Sequence, residues 1–153
     1  PVHVDVVGVG GSVVDHLNSN DIQCVSVNGG DRQEVEGQTD KMTNRLRFRN
    51  KRALLWWRFR ESLDPKTGDN IALPNDSQLR ADLCAPMWKL TPGGILVEPK
   101  EDGPDGQGIK KRLGRSPDDG DAVVNASICT VKVSPTGKDW RSKVKRPATW
   151  RGQ

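Results

Sequence analysis

The chain has 153 residues, a length that suits a single domain, and 33% of them are hydrophobic. It contains no run of about 18 apolar residues and no basic-then-apolar N-terminal stretch, so the sequence predicts neither a membrane-spanning helix nor a secretory signal. The net charge of +4 is concentrated in two basic blocks, a distribution that favours a polyanionic partner.

The first predicted element is a valine-rich strand over residues 2–9, whose poor alternation predicts burial on both faces. A short helix with Val13, Val14 and Leu17 on one face comes next, followed by a second valine-rich strand. Together they predict a βαβ unit with a parallel strand pair. The glycines at 8–11 lack the lysine and spacing of a phosphate loop and indicate a tight turn. Because the chain begins inside a strand-like pattern, we expect it to be a piece of a longer protein.

The next stretch, residues 29–47, is polar without a clear period and predicts a loop. A helix is predicted over residues 49–63, with one of Trp56 and Trp57 buried and the other partly exposed, because adjacent helix positions diverge by about 100°. The apolar face predicted to be buried consists of Leu55, Phe59 and Leu63.

Shorter elements are predicted in the second half of the chain. A helix begins with Asn75 or Asp76 as its cap, and a hairpin follows over residues 87–99. Residues 101–108 indicate a flexible insertion, and residues 109–114 predict one or two helical turns. A final helix follows, so the sequence as a whole predicts an α/β fold.

Two blocks carry most of the positive charge. Residues 41–60 hold eight Lys or Arg and no acid, and residues 131–153 hold seven Lys or Arg and one acid. Such blocks are typical of nucleic-acid contacts, although a solvated helix face and a loose tail would give the same composition. We expect residues 131–153 to form a basic, partly disordered tail that binds DNA.

The three cysteines are widely spaced and form no C-x-x-C pair, which argues against a zinc site. Cys24, Cys84 and Cys129 each lie in an apolar context. They are therefore expected to be small buried side chains in a reducing compartment.

Three aspartates crowd the start of the last predicted helix, in RSPDDGDAVVN. Ser116 is expected to be the N-cap and Pro117 the first helical residue. Asp118 and Asp119 then suit the positive end of the helix dipole, and Asp119 completes a capping-box-like pattern with Ser116. Asp121 lies one turn further in, and no capping rule accounts for it.

A second unexplained acid is Asp5, which lies in an otherwise apolar strand. It is either an edge-strand residue that faces water or a site residue at a strand end, where open α/β sheets bind their ligands. On the last helix, Asp118, Asp121 and Asn125 share one face. Asp5 and Asp121 together could bind Mg²⁺ or Mn²⁺, because hard cations prefer carboxylate oxygens.

An ordered series of stretches resembles one known family. VDVVGVGGSVVDHL, VSVNGG, NKRALLWWRFRESLDP, ALPNDSQLRADLCAPMWKLTPGGILVEPKED and KKRLGRSPDDGDAVV resemble, in that order, the C-terminal nuclease domain of tailed-phage terminase large subunits. The resemblance covers roughly residues 2–126. It implies a ribonuclease H-like mixed sheet flanked by helices, and a two-metal endonuclease that cuts concatemeric DNA during packaging.

The resemblance also implies site residues. Asp5, Asp121 and Asp118 match catalytic acids that would hold Mg²⁺ or Mn²⁺, and Lys100 matches a basic residue beside the cleft. The implied partners are double-stranded DNA, the small terminase subunit and the portal, in the host cytoplasm. The residues expected to contact DNA are Lys100, Lys110, Lys111, Arg112, Arg115, Lys143, Lys145 and Arg146.

The sequence departs from the family at its start. The family's first catalytic aspartate lies on an earlier strand, and the sequence has neither that strand nor a Walker motif. We therefore expect residues 1–130 to be a partial nuclease domain whose sheet lacks its first strands, followed by the 131–153 tail. The alternative is a DNA-binding remnant of a terminase that does not cut.

Overall fold

A computed structural model describes residues 1–66, 68–101 and 108–128, and in these ranges the fold is α/β with two small sheets and five helices. The predicted tail and most of the predicted insertion lie outside the described residues. Within the described ranges, no helix has the length and apolarity needed to cross a membrane. In chain order the elements are β1 (Val2–Asp5), α1 (Gly10–Ser19), β2 (Cys24–Val27), a short 3₁₀ turn (Gln33–Val35), α2 (Lys51–Ser62), α3 (Ser77–Cys84), β3 (Trp88–Thr91), β4 (Gly94–Val97), α4 (Ile109–Leu113) and α5 (Asp118–Ser127).

The predicted βαβ unit is confirmed. β1 and β2 pair in parallel, with Val2 opposite Cys24 and Asp5 opposite Val27, and α1 connects them. The prediction that the first strand is buried on both faces is wrong, because Val2 is 48% exposed and the strand ends at Asp5. The helices α1 and α5 pack on this strand, and part of its surface stays open.

The second sheet is the predicted hairpin. β3 and β4 pair antiparallel and are joined by a tight turn at Pro92-Gly93. Among the described residues the two strand pairs form separate sheets, so the single mixed sheet expected from the sequence is not present there. The hairpin instead joins the chain before α2, where Phe48 forms a parallel bridge with Ile95.

The core surrounds α2. Phe59 is buried as predicted, but both Trp56 and Trp57 are buried and Leu63 is exposed, so the predicted face is partly wrong. The reason is that α2 packs between α5 and β4 and buries side chains on more than one face. The ring of Trp57 meets the ring of Trp88 edge to face at 5.0 Å.

Helix ends follow the sequence in one case and depart from it in another. Asp76 caps α3 as predicted, and its carboxylate accepts a hydrogen bond from Leu79 N at 2.7 Å. Ser116 does not cap α5, since the cap position is Pro117 and the Ser116 hydroxyl donates to Asp118 Oδ1 instead. A cap would have to accept a hydrogen bond from a backbone N–H, whereas this hydroxyl donates a charge-assisted hydrogen bond to a neighbouring carboxylate.

The cysteine prediction is only partly met. Cys24 is half-buried, but Cys84 is exposed, so the expectation of burial is wrong for Cys84. Cys84 is the last residue of α3, where the helix leaves the core. Cys129 lies outside the described residues.

Candidate active site

The acids singled out from the sequence line one cleft. Asp5 is the last residue of β1. Asp118 is the first residue of α5, and Asp121 lies three positions further along the same helix. All three line a cleft of about 500 Å³. Lys100 and Asn125 line the same cleft, so the predicted face of α5 and the carboxyl end of β1 meet there.

Close backbone packing fixes Asp5. A Cβ on Gly10 would lie 1.7 Å from the carbonyl oxygen of Asp5, so the start of α1 approaches this strand end as only glycine allows. His3 Nδ1 lies 2.8 Å from the Asn125 carbonyl oxygen, so this ring nitrogen donates and ties β1 to α5. The exposed Asp5 carboxylate accepts a hydrogen bond from Val7 N at 3.1 Å.

Asp121 is the buried acid of the site. Its Oδ1 accepts hydrogen bonds from Arg52 Nη1 at 2.6 Å and from Trp56 Nε1 at 3.1 Å. Its Oδ2 is buried and receives no hydrogen bond of ordinary geometry from any described residue, although Lys100 Nζ lies 2.8 Å away. The Lys100 ammonium is therefore the charged partner of this buried oxygen.

The small residue before Asp121 brings α5 against α3. A Cβ on Gly120 would lie 2.9 Å from the Cβ of Asp82, so a larger residue would push the two helices apart. Asp82 is fully buried and pairs with Arg115 at 2.5 Å. This pair anchors the start of α5, and with it Asp118 and Asp121, on the rest of the fold.

Lys100 links the acids electrostatically. Burial alone would lower its pKa, but the nearby carboxylates of Asp121 and Asp118 outweigh burial and raise the pKa above its usual value. The pKa of Asp118 is lowered, first by the Ser116 hydroxyl and then by Lys100, 3.1 Å away. The lysine is therefore a cation and the Asp118 carboxylate an anion near neutral pH.

Most of the described residues that were expected to contact DNA pair with acids of the same chain. Lys110 pairs with Glu101, Arg112 pairs with Glu98, and Arg115 pairs with Asp82. Lys111 is exposed. Three of the residues expected to contact DNA lie outside the described residues: Lys143, Lys145 and Arg146.

Sequence reasoning missed two residues of this site. Arg52 and Trp56 lie one turn apart on α2 and both donate to Asp121, and the guanidinium of Arg52 also lies over the Trp56 ring at 5.4 Å. The i, i+4 pairing of an arginine and a tryptophan was a signal that they share a face. The identity of their partner depends on tertiary packing.

No protein-family model, no curated protein and no solved structure matches the chain.

Proposed function

We propose that the chain is the nuclease part of a viral DNA-packaging terminase, a metal-dependent endonuclease with a ribonuclease H-like fold. The observation that carries the proposal is the meeting of Asp5, Asp118 and Asp121 on one cleft at the carboxyl end of a parallel strand pair. Ligands of open α/β sheets bind at such ends. The ordered resemblance to terminase nuclease domains supports the same function.

Carboxylates from two elements line the cleft, and hard divalent cations prefer such oxygen ligands. Asp5 is exposed, Asp118 has 72% of its side chain exposed, and the buried Oδ2 of Asp121 pairs with Lys100, so carboxylate oxygens reach the cleft from two elements. These three acids would hold Mg²⁺ or Mn²⁺. When bound, such ions supply an activated water and stabilise the leaving oxygen of a phosphodiester.

The cations of the cleft have distinct roles in this proposal. Arg52 and Trp56 fix the orientation of Asp121 through its Oδ1 and leave Oδ2 turned toward Lys100. Lys100, half-buried between the acids, can contact a phosphate oxygen of the substrate as a point charge. The same proposal includes double-stranded DNA, the small terminase subunit and the portal as partners in the host cytoplasm, and its support there is the family resemblance.

A specific observation favours the alternative, a terminase remnant that holds DNA without cutting it. Across residues 1–66, 68–101 and 108–128, no three His, Cys, Asp or Glu side chains are close enough together to hold a metal ion. Asp121 already has Arg52 and Lys100 as cationic partners. Of the further acids in the chain, Glu98 pairs with Arg112 and lies outside the cleft lining.

Nicking of supercoiled plasmid separates the two functions. We expect the full chain to nick with Mn²⁺ and not with EDTA, and we expect Asp121→Asn to abolish the nicking. Asp119→Asn is the matched control, because Asp119 is on the same helix but binds Gln78 and lies outside the cleft lining. Absence of Mn²⁺-dependent nicking by the wild-type chain, or equal nicking by Asp121→Asn, would contradict the endonuclease proposal.

A further inference from the structure

The segment before α2 alternates between buried and exposed residues. Leu46 is half-buried and Phe48 is 4% exposed, whereas Arg45, Arg47 and Arg49 are all exposed. This period of two is that of an extended chain with one face in the core. The three arginines therefore share the outer face of one short segment, and they are called the arginine row below.

Both ends of the arginine row are fixed by hydrogen bonds. At its start the buried carboxylate of Asp40 accepts from the backbone N–H of Arg45 at 3.1 Å and of Leu46 at 2.9 Å. Further along, Ile95 N donates to Arg47 O at 2.7 Å, and Arg49 N donates to Ile95 O at 2.9 Å. The backbone of the row is thus held between the Asp40 carboxylate and the hairpin, so its geometry is set before any ligand arrives.

The guanidinium groups of the arginine row have no acid partner within the described part of the chain. Arg47 and Arg49 line a hollow of about 340 Å³ together with Arg32, which has no acid partner there either. Among the described residues that line this hollow, Glu36 is the one acid. A local excess of positive charge therefore remains available to an external anion.

The shape of the row indicates the class of anion. Residues of an extended chain rise about 3.3 Å each, so alternate arginines are spaced by about 6.6 Å and the row spans about 13 Å. A line of charges suits a chain of phosphates better than a single compact anion, which needs converging donors. Phe48, the aromatic residue within the segment, is buried, so the row offers no exposed ring for stacking single-stranded bases.

We propose that the arginine row binds the phosphate backbone of double-stranded DNA. The identity of the polyanion as DNA rests on the proposed function, whereas the row itself is a feature of the fold. The contact is to phosphates and carries no sequence preference. The row leads directly into α2, whose first turn carries the Arg52 that pairs with Asp121.

Salt dependence of DNA binding tests the proposal. The full chain is titrated with a fluorescent random-sequence duplex at several salt concentrations, with EDTA present so that no cleavage can occur. The triple variant Arg45→Ala, Arg47→Ala, Arg49→Ala should reduce the slope of log K against log[salt] by about 2 to 3, because each lost phosphate contact removes about 0.9. Circular dichroism and the melting temperature confirm that the variant folds.

The matched control removes the same charge elsewhere. Lys66→Ala, Arg80→Ala, Lys89→Ala changes three exposed cations that do not belong to the row and should leave the slope nearly unchanged. An equal change in both triple variants, or a change seen with single-stranded DNA alone, would overturn the proposal. Deleting residues 131–153 measures the tail's contribution to the salt slope separately. The triple variant of the row should lower the slope in this shortened chain as well.

The outcome is distinguishable from that of the nuclease proposal. If the row variant lowers the slope but wild-type protein never nicks plasmid, the row stands and the chain binds without cutting. If wild-type protein nicks with Mn²⁺ but the row variant keeps the wild-type slope, the endonuclease function stands and the row proposal falls.

Discussion

The cations beside the acid cleft and those of the arginine row differ in whether an acid of the described chain pairs with them. Around the cleft, Lys100 and Arg52 pair with Asp121, and Arg115 pairs with the fully buried Asp82. In the row, Arg45 and Arg47 have no acid partner among the described residues. The first group is already engaged in holding the site together, and the second is available to a ligand.

This difference shows why net charge locates a polyanion surface poorly. A cation whose charge is matched by a neighbouring carboxylate adds little to the field outside the protein. The residues expected from the sequence to contact DNA near the cleft, such as Arg112 and Lys110, have acid partners. The row lies in the basic block of residues 41–60, which contains no acid.

The largest expected effect tests whether the two regions belong to one folding unit. Phe59 is 4% exposed and lies in the core cluster that also contains Phe48 and Val124. Phe59→Ala should lower the free energy of unfolding by about 3–5 kcal/mol, because it leaves a cavity beneath both regions. Urea unfolding followed by tryptophan fluorescence and by circular dichroism should give one shared, shifted transition.

The control for that prediction is Leu63→Ala. Leu63 is 37% exposed at the end of the same helix, so its loss should destabilise the fold much less. Two separated transitions in either variant would show that the cleft and the arginine row unfold independently, and the comparison would then concern two units.

A smaller effect separates the paired cations from the unpaired ones. Arg115→Ala leaves Asp82 buried without its cation, so the melting temperature should fall by several degrees. Arg47→Ala removes an exposed side chain without an acid partner, and the free energy of unfolding should change by less than about 0.5 kcal/mol. Equal losses of stability in the two variants, measured by thermal melting, would erase the distinction between the two groups.

The smallest expected effect concerns pH and the Asp40 carboxylate, which binds the backbone at the start of the row. Burial alone would raise the pKa of Asp40, but hydrogen bonds from the Leu46, Thr43 and Arg45 backbone and from the Thr43 hydroxyl lower it to about 2. Because the folded pKa lies below the ordinary value of 3.8, the carboxylate stabilises the fold above pH 3.8. That stabilisation is lost as the pH falls toward about 2.

Asp40→Asn should therefore destabilise the fold near neutral pH, and the difference from wild type should shrink as the pH falls through that range. Urea midpoints at about pH 7, 5 and 3 measure the difference. A difference that grows on acidification would contradict the assigned role of the carboxylate. The variant should also weaken DNA binding through the arginine row, since the Asp40 carboxylate binds the backbone N–H of Arg45.

Local patterns predicted much of the fold and the site. The βαβ unit, the hairpin and the Asp76 cap depend on neighbouring residues in the chain, and so does the helix face that carries Asp118 and Asp121. The segment RLRFR, residues 45–49, alternates between polar and apolar residues as a strand does, but the polar sequence of residues 29–47 predicts a loop. The polar flanks masked a signal that covers only five residues.

Other features depend on contacts between distant residues. Trp57 is buried because Trp88 of the hairpin packs on its ring, and no spacing along α2 reveals that partner. The hydrogen bonds that Arg52 and Trp56 make to Asp121 join residues 69 and 65 positions apart.

The most direct test of the account is Mn²⁺ binding to the full chain without DNA, followed by electron paramagnetic resonance. We expect saturable binding that is lost in Asp5→Asn and in Asp121→Asn and kept in Asp119→Asn, because Asp5 and Asp121 line the cleft and Asp119 does not. Absence of saturable binding by the wild-type chain at millimolar Mn²⁺, or equal binding by all three variants, would contradict the assignment of the cleft as a metal site.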